Sequence, residues 1–164
     1  MRAVLALLTF VVFAWADAFS DGLAAANRGD NQEAIRQFTQ AIKSDPNNAR
    51  AYYERGLLYG DIGDYKKAIE DYTRAININP NYADAYVNRG FLYAEFDHLK
   101  AIEDFTQAIK SEPNYAWAYD GRGNSYLELG DRVKAEKDAR KACDLSECEL
   151  LQFLRENGQI SEQD

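Results

Sequence analysis

The feature that most constrains the fold of this chain is an internal repeat with a period of about 34 residues. The segment from Tyr52 to Pro80 recurs, with most of its apolar residues, from Tyr86 to Pro113. A fixed period of this size is typical of a solenoid, in which similar small units stack in a row, and not of one irregular globule. The sequence therefore predicts a chain of stacked units.

Each unit is predicted to be a helix hairpin. Apolar residues recur at helical spacing in two stretches, one around Tyr52 and one around Tyr72. Between the stretches, Gly63 can adopt the left-handed conformation that ends a helix, and Asp64 can accept the free N–H groups that begin the next one. Pro80 then stops the second helix. The unit is therefore two helices joined by a tight turn.

The residues that repeat form a recognisable pattern. An aromatic, a small residue, an aromatic, Ala, an aromatic, Ala and Pro follow in order, and in the second unit they are Tyr52, Gly56, Tyr59, Ala68, Tyr72, Ala75 and Pro80. This pattern resembles the tetratricopeptide repeat, and the same register runs from about residue 17 to residue 147. The resemblance implies an all-α fold, a right-handed α-solenoid of helix-turn-helix hairpins with a C-terminal capping helix.

The register of the repeat divides the chain into segments. Four repeats are predicted at residues 17–47, 48–81, 82–114 and 115–147, followed by a capping helix at 148–158 and a frayed tail at 159–164. The last repeat departs from the pattern, with Ala139 in place of an aromatic and Glu147 in place of the proline. Leu150, Leu151 and Leu154 form one apolar strip. Because a stack of hairpins leaves its terminal apolar face open, we expect these leucines to cover it.

Residues 1–16 are predicted to be a signal peptide. Arg2 gives a positive start, an apolar run follows as far as Phe13, and the tripeptide Ala14–Ala16 has the small-x-small form of a signal peptidase site. The run is shorter than the roughly 20 residues that cross a bilayer. The alternative is a buried first helix of the solenoid. A signal peptide predicts a periplasmic or secreted protein without stable membrane insertion after cleavage.

Charge and motifs narrow the class of function. The net charge is −8, with acids and bases mixed along the predicted helices, whereas nucleic-acid binding requires a basic stripe. The sequence contains no nucleophile motif and no glycine-rich phosphate loop, and its single histidine, His98, falls in a turn. We therefore expect no enzymatic activity, no cofactor, no metal site and no nucleic-acid partner.

Three arginines also follow the repeat. Arg55, Arg89 and Arg122 each precede the glycine of a first helix. One interpretation is the capture of an anionic ligand. The interpretation that we favour is an ion pair within each hairpin, because an acid stands at a corresponding position of each second helix, namely Asp71, Asp104 and Asp138.

The resemblance also implies a binding surface. In this family the first helix of each hairpin lines the concave side of the superhelix. The positions of that groove are occupied here by Phe19, Leu23, Arg50, Tyr53, Leu57, Val87, Phe91, Trp117, Asn124 and Leu127. Aromatic side chains such as Tyr53, Phe91 and Trp117 are typical anchors of protein-binding surfaces. The alternative is that they fill gaps between repeats. The clamp of Lys, Asn and Arg with which some members hold a terminal carboxylate is missing at these positions.

The resemblance therefore implies a protein-protein interaction adaptor or scaffold. It would bind a peptide or helix of another exported protein in the concave groove, as a monomer or a weak homo-oligomer. The alternative is a self-associating structural protein of the same fold that has no peptide ligand.

Cys143 and Cys148 lie five residues apart near the end of the last repeat. In one continuous helix their Cα atoms would be too far apart to bridge, but a turn at Leu145 and Ser146 would allow a disulfide. An oxidising compartment would favour that bond. The spacing is not that of a redox or metal motif, so the expected role is to pin the C-terminal helix.

Overall fold

The computed structural model describes residues 18–160, and these residues form nine α-helices and no strand. The first helix, α1, occupies residues 18–27 of the described part. The others are α2 Asn31–Ser44, α3 Ala49–Asp61, α4 Tyr65–Ile78, α5 Ala83–Ala94, α6 His98–Ser111, α7 Ala116–Glu128, α8 Arg132–Asp144 and α9 Glu149–Glu156. The predicted all-α fold is confirmed. The predicted signal peptide, residues 1–16, and residues 161–164 of the predicted tail lie outside the described residues.

The helices fall into two compact units that divide after Pro80. Unit 1 holds α1 to α4, with α2 packed on α3 and α3 packed on α4. Unit 2 holds α5 to α9, and within it α5 packs on α6, α6 on α7, α7 on α8 and α8 on α9. Helices α5 and α7 also contact each other, because two hairpins with short turns place their first helices side by side and parallel.

The turns inside the hairpins have the chemistry that the sequence predicted. The second helix of each hairpin begins at an aspartate whose carboxylate accepts a backbone N–H three residues later, as Asp64 does from Lys67. The same cap recurs at Asp30, Asp97 and Asp131. Gly63 stands before Asp64 with φ of 78°, a left-handed conformation that favours glycine.

The turn between α5 and α6 is shorter by one residue and lacks the glycine. In the α3–α4 turn the Asp64 N–H donates to the carbonyl of Tyr59, five residues back, at 2.8 Å. In the α5–α6 turn the Asp97 N–H donates to the carbonyl of Tyr93, only four residues back, at 2.6 Å. The one-residue deletion therefore tightens this turn.

In the first three hairpins the core contains an aromatic ring packed against a glycine. Gly56 of α3 faces Tyr72 of α4 so closely that a Cβ atom on Gly56 would lie 2.7 Å from the ring. Gly22 faces Phe38 in the same way, and both rings are buried. The small residue of the pattern is therefore required by the aromatic opposite it, because no larger side chain fits between the two helices.

At the C-terminus, α9 packs on the last hairpin. Leu150, Leu151 and Leu154 are buried at 1% to 5% exposure, as expected for a covering helix. Cys143 and Cys148 form a disulfide with their Cα atoms 4.1 Å apart, so the turn before α9 is closed covalently.

The first residues after α9 contact that helix. The N–H of Gln159 donates to the carbonyl of Leu154 at 2.9 Å, and Ile160 packs against the leucines of α9, where its apolar side chain is partly removed from water. The fraying expected for residues 159–164 stays a prediction.

Among residues 18–160, the helices are all too short or too polar to cross a lipid bilayer.

Candidate functional site

The three repeating arginines form ion pairs inside their hairpins. Arg55 of α3 holds Asp71 of α4 through two charge-assisted hydrogen bonds, both of 2.7 Å. The corresponding bonds measure 2.7 and 2.8 Å for Arg89 with Asp104, and 2.7 and 2.9 Å for Arg122 with Asp138. The ion pairs predicted from the sequence are confirmed. Each guanidinium fork is matched by a carboxylate of its own hairpin.

The surroundings of these arginines explain why they belong to the scaffold. The guanidinium of Arg55 lies 5.8 Å from the ring centres of both Tyr52 and Tyr59, which are residues of the packing pattern. Burial disfavours the charge, but the hydrogen bonds and the negative charge of Asp71 outweigh burial and raise the pKa of Arg55 above its ordinary value. Arg55 therefore remains protonated, and its ion pair with Asp71 holds α3 against α4.

In unit 1, the predicted groove residues lie on α1 and α3. Phe19 and Leu23 are half-buried, and the ring of Phe19 packs on buried Phe38 with centroids 5.5 Å apart. Arg50 is exposed, and its guanidinium lies 5.4 Å from the Phe19 ring centre. Arg50 therefore covers an aromatic side chain while its charge faces solvent.

Tyr53 and Leu57, one turn apart on α3, are both half-buried. The Tyr53 ring lies 5.9 Å from the ring of Tyr72, so it is partly supported by the core of its own hairpin. This placement gives an aromatic side chain with a fixed position and a solvent-facing edge.

In unit 2, the two most exposed aromatics of the predicted groove lie on the first helices α5 and α7. Trp117 is 48% exposed in the first turn of α7, and Phe91 is 37% exposed near the end of α5. One edge of Phe91 packs on buried Phe105, with ring centroids 5.1 Å apart. Because α5 and α7 are parallel and Trp117 corresponds to Asp84, the two aromatics are offset by about 10 Å along the helix axes.

Val87 was predicted to line the groove, but the structure buries it. Its side chain is 4% exposed and packs with Phe105 and Ala118 in the core of unit 2. The Val87 side chain is buried where α5, α6 and α7 pack together, so it has no exposed surface for a ligand to contact.

The last two predicted positions differ from each other. Asn124 is exposed on α7, where its side-chain N–H groups donate to the carbonyl and the carboxylate of Asp120. Leu127 is half-buried against the leucine cluster of α9. Asn124 is thus available to a ligand, whereas Leu127 mainly supports the C-terminal helix.

The row Tyr53, Phe91 and Trp117 stays a prediction. Phe91 and Trp117 belong to unit 2, but Tyr53 belongs to unit 1. What the structure establishes is that each unit presents exposed or half-exposed aromatic side chains on its first helices.

Sequence reasoning missed a second set of exposed apolar side chains. They lie at or within two residues of the turns inside the hairpins and are 49% to 80% exposed, and they are Ile62, Tyr65, Phe96, Leu99, Leu129 and Val133. In unit 2 the turns after α5 and α7 fall at the same end, because those helices are parallel. The repeat itself carries the signal, since Ile62, Phe96 and Leu129 occupy corresponding positions.

No metal-binding group of three or more His, Cys, Asp or Glu side chains occurs within residues 18–160. His98, the only histidine of the chain, is half-buried at the start of α6.

Comparison with known proteins agrees with this geometry. Sequence models of the tetratricopeptide repeat match residues 49–82 and 71–104, and a model described as TPR repeat matches residues 22–63. The search of curated proteins gave no match.

Solved structures of similar fold include a crystal structure of MamA. It is 31% identical to this chain, with 89% of this chain and 86% of that chain covered and a TM-score of 0.78. MamA from Desulfovibrio magneticus RS-1, from residue 41 to its end, is 26% identical, with coverages of 82% and 77% and a TM-score of 0.73. The first TPR of Spaghetti (RPAP3), bound to the HSP90 peptide SRMEEVD, is 24% identical, with coverages of 71% and 93% and a TM-score of 0.67.

Proposed function

Because the chain belongs to the tetratricopeptide repeat family, we propose that it is a protein-interaction scaffold whose first helices bind a peptide or a helix of another exported protein. The observation that carries the proposal is the exposure of Trp117 and Phe91 on the first helices of unit 2. Large aromatic side chains left in water gain free energy when a partner covers them, and they are common anchors of protein interfaces.

The rigidity of the hairpins supports this function. The ion pairs of Arg55, Arg89 and Arg122 and the interlocked glycines and rings hold each first helix on its second helix. A preformed surface loses little conformational entropy on binding, so most of the cost of ordering falls on the ligand. The fold of the Spaghetti domain, which its structure shows with a peptide, is consistent with the same general use.

In unit 1, the proposed surface is made by Arg50, Tyr53 and Leu57 of α3. Arg50 and Glu54 form an exposed pair of 3.1 Å that is easily rearranged, because surface pairs contribute little to stability. We expect this unit to provide an aromatic contact with a charged border. We expect unit 2 to provide the deeper anchors.

The experiment is affinity capture from the secreted or envelope fraction of the native source. The bait is residues 17–164, compared with a Tyr53→Ala, Phe91→Ala, Trp117→Ala variant. A matched control replaces the exposed turn residues Ile62, Phe96 and Val133 by alanine, because it removes a similar apolar surface elsewhere. Circular dichroism must show all three folded.

The proposal expects one protein to be retained by the unmutated chain and by the turn variant, and to be lost from the first-helix variant. Equal retention by all three chains would overturn it. Loss only from the turn variant would move the binding surface to the turns.

A second candidate function is self-association without a peptide ligand. The observation that favours it is the set of exposed turn residues from Ile62 to Val133, since apolar side chains at corresponding positions can cover those of another copy. Light scattering on purified residues 17–164 separates the two functions. A mass that rises with concentration and falls to that of the monomer in the turn variant supports self-association.

We also propose that the protein is exported, either to the periplasm or out of the cell. The support is the sequence of residues 1–16, which has the form of a cleavable signal peptide. The intact mass of protein purified from its native source tests this. A chain that begins at Asp17 is expected, and a chain that retains Met1 to Ala16 would contradict export by this route.

A further inference from the structure

The last hairpin carries a pocket that the first-helix surface does not include. It has a volume of about 220 Å³ and is lined by Arg122, Tyr126, Lys134, Lys137 and Asp138 of α7 and α8. Three of the five lining side chains are cations, although the chain as a whole has a net charge of −8. The pocket is therefore a local reversal of the overall charge.

Comparison with the other hairpins shows which residue causes this reversal. Lys137 stands where Glu70 of α4 and Glu103 of α6 stand in the preceding hairpins. A hydrogen bond to the capping aspartate, Asp64 or Asp97, is the main cause that raises the pKa of Lys67 or Lys100. The negative charge of Glu70 or Glu103 adds to it. The last hairpin has a second lysine at this position, so the balance is removed there alone among these three hairpins.

Two of the three cations that line the pocket are paired with an aspartate, and the third, Lys137, is not. Arg122 is satisfied by Asp138 and also donates to Thr106 Oγ1 at 3.1 Å. Lys134 pairs with Asp131 at 2.6 Å and lies 5.0 Å from the ring centre of Tyr126. Lys137 is exposed and has no carboxylate within 4.0 Å among the described residues.

The charge balance can be compared directly with the α3–α4 hairpin. The pocket and its ion-pair partners have three cations, Arg122, Lys134 and Lys137, against the carboxylates of Asp131 and Asp138. The corresponding set in α3–α4 has two cations, Arg55 and Lys67, against three carboxylates, namely Asp64, Glu70 and Asp71. The set around the pocket is left with one excess positive charge, and the corresponding set in α3–α4 with one excess negative charge.

We propose that this pocket binds a carboxylate side chain of an acidic segment of a partner protein. Lys137 supplies the principal charge, and the ammonium group of Lys134 has donors to spare beyond its single pairing with Asp131. A folded polyanion such as nucleic acid is disfavoured, because the rest of the chain is acidic and repels it. A short acidic segment needs only the local field of the pocket.

A second pocket lacks the pair of lysines that lines the first. It has a volume of about 300 Å³ and is lined by five residues of α2, among them Arg36 and Lys43. The guanidinium of Arg36 is closed by two hydrogen bonds from its N–H groups to Glu33, of 2.6 and 2.8 Å. Lys43 is the other cation of this pocket, so α2 offers no convergent pair of lysines.

The test uses a fluorescein-labelled hexaglutamate peptide, with hexaglutamine as its uncharged control, and fluorescence anisotropy on residues 17–164. The Lys137→Glu variant restores the residue of the other hairpins, so it is expected to fold. It should bind hexaglutamate at least about tenfold more weakly, because one charge-assisted interaction is lost and a like charge is added. Lys66→Glu makes the same change in net charge at an exposed position of α4, and it should change hexaglutamate binding by less than about twofold.

A gain of binding is the sharper result. Glu70→Lys places the second lysine beside Lys67, Arg55 and Tyr59, and it should create a second hexaglutamate site in unit 1. The Tyr53→Ala, Phe91→Ala, Trp117→Ala variant should bind hexaglutamate as the unmutated chain does, which separates this site from the proposed first-helix surface.

Several outcomes would overturn the proposal. They are equal weakening by Lys137→Glu and Lys66→Glu, equal binding of hexaglutamine, and no second site in Glu70→Lys. Inorganic phosphate is the competing free anion. If phosphate binds as tightly as hexaglutamate, the pocket is a site for small anions and the assignment to an acidic protein segment is wrong.

Discussion

The hairpins α3–α4 and α7–α8 share one frame and differ in how it is filled. Both hold their two helices together with a buried arginine-aspartate pair, Arg55 with Asp71 and Arg122 with Asp138. Gly56 of α3 lies against the ring of Tyr72, which belongs to its own hairpin. The glycine at the same position of α7, Gly123, lies against something else.

Ala139 stands in α8 where Tyr72 stands in α4, so the last hairpin lacks its own ring. Leu150 of α9 takes up this space, and a Cβ atom on Gly123 would lie 2.7 Å from its Cδ2 atom. A repeat that departs from its pattern is therefore completed by the helix that follows it. Helix α9 is therefore part of the fold of the last hairpin and not an appendage.

The largest expected effect tests what the two hairpins share. Arg55→Ala and Arg122→Ala should each lower the free energy of unfolding by about 3–5 kcal/mol, because each leaves an aspartate that is 4% exposed without its partner. Urea denaturation measures this. Arg36→Ala is the control, since its pair with Glu33 is at the surface and should contribute less than about 1 kcal/mol. A cost for Arg122→Ala as small as that of the control would mean that the frame is not shared.

The second prediction tests the difference between the hairpins. Leu150→Ala should cost about 2–5 kcal/mol, because it opens a cavity against Gly123. Ala139→Phe alone should also destabilise the protein, by about 1–3 kcal/mol of overpacking.

Together, Leu150→Ala and Ala139→Phe should be less damaging than the sum of the two changes, because the new ring would occupy the space as Tyr72 does in α3–α4. A double-mutant cycle by urea denaturation gives the coupling. Strict additivity would contradict the idea that Leu150 replaces the missing ring.

The disulfide that precedes α9 has no equivalent in α3–α4. Cys148→Ser should lower the free energy of unfolding by about 2 kcal/mol, since the bond closes only a short loop. Reducing agent should have the same effect on the unmutated chain and none on the variant. A variant that remains sensitive to reductant would contradict this origin of the loss.

The smallest expected effect concerns the same turn. Ser146 has φ of 85°, in the left-handed region, whereas Gly63 and Gly130 occupy comparable turn positions with φ of 78° and 81°. Ser146→Gly should stabilise the protein by about 0.5–1 kcal/mol, because glycine adopts this conformation without steric cost. Gly130→Ala is the matched reverse and should destabilise it. Thermal unfolding is expected to rank Ser146→Gly as the most stable chain, the unmutated chain second and Gly130→Ala last. A Ser146→Gly variant no more stable than the unmutated chain would contradict a steric cost at Ser146.

The sequence predicted those features that depend on the repeat period. The hairpins, their aspartate caps and the pairs of Arg55, Arg89 and Arg122 follow from residues that recur at fixed spacing, and one contact of each kind implies the others. Val87 shows where this reasoning stops. Its position in the repeat is that of a groove residue, yet it is buried, because burial depends on how large the neighbouring side chains are.

The last hairpin shows the same limit. The reversal from Glu70 to Lys137 is visible in the sequence, but only the geometry shows that Lys137 shares a pocket with Arg122 and Lys134. The exposed turn residues were likewise present in the repeat, and their exposure required the packed structure.

The most direct test of the proposed scaffold function is site-specific photo-crosslinking. The photoreactive residue p-benzoylphenylalanine replaces Trp117 in one chain and Val133, which is 80% exposed in the first turn of α8, in another. Both chains are irradiated in the native secreted or envelope fraction, and the adducts are identified by mass spectrometry. One heterologous protein is expected to crosslink from position 117 and to be absent from position 133. Adducts that are the same from both positions, or that consist only of a second copy of this chain, would contradict it.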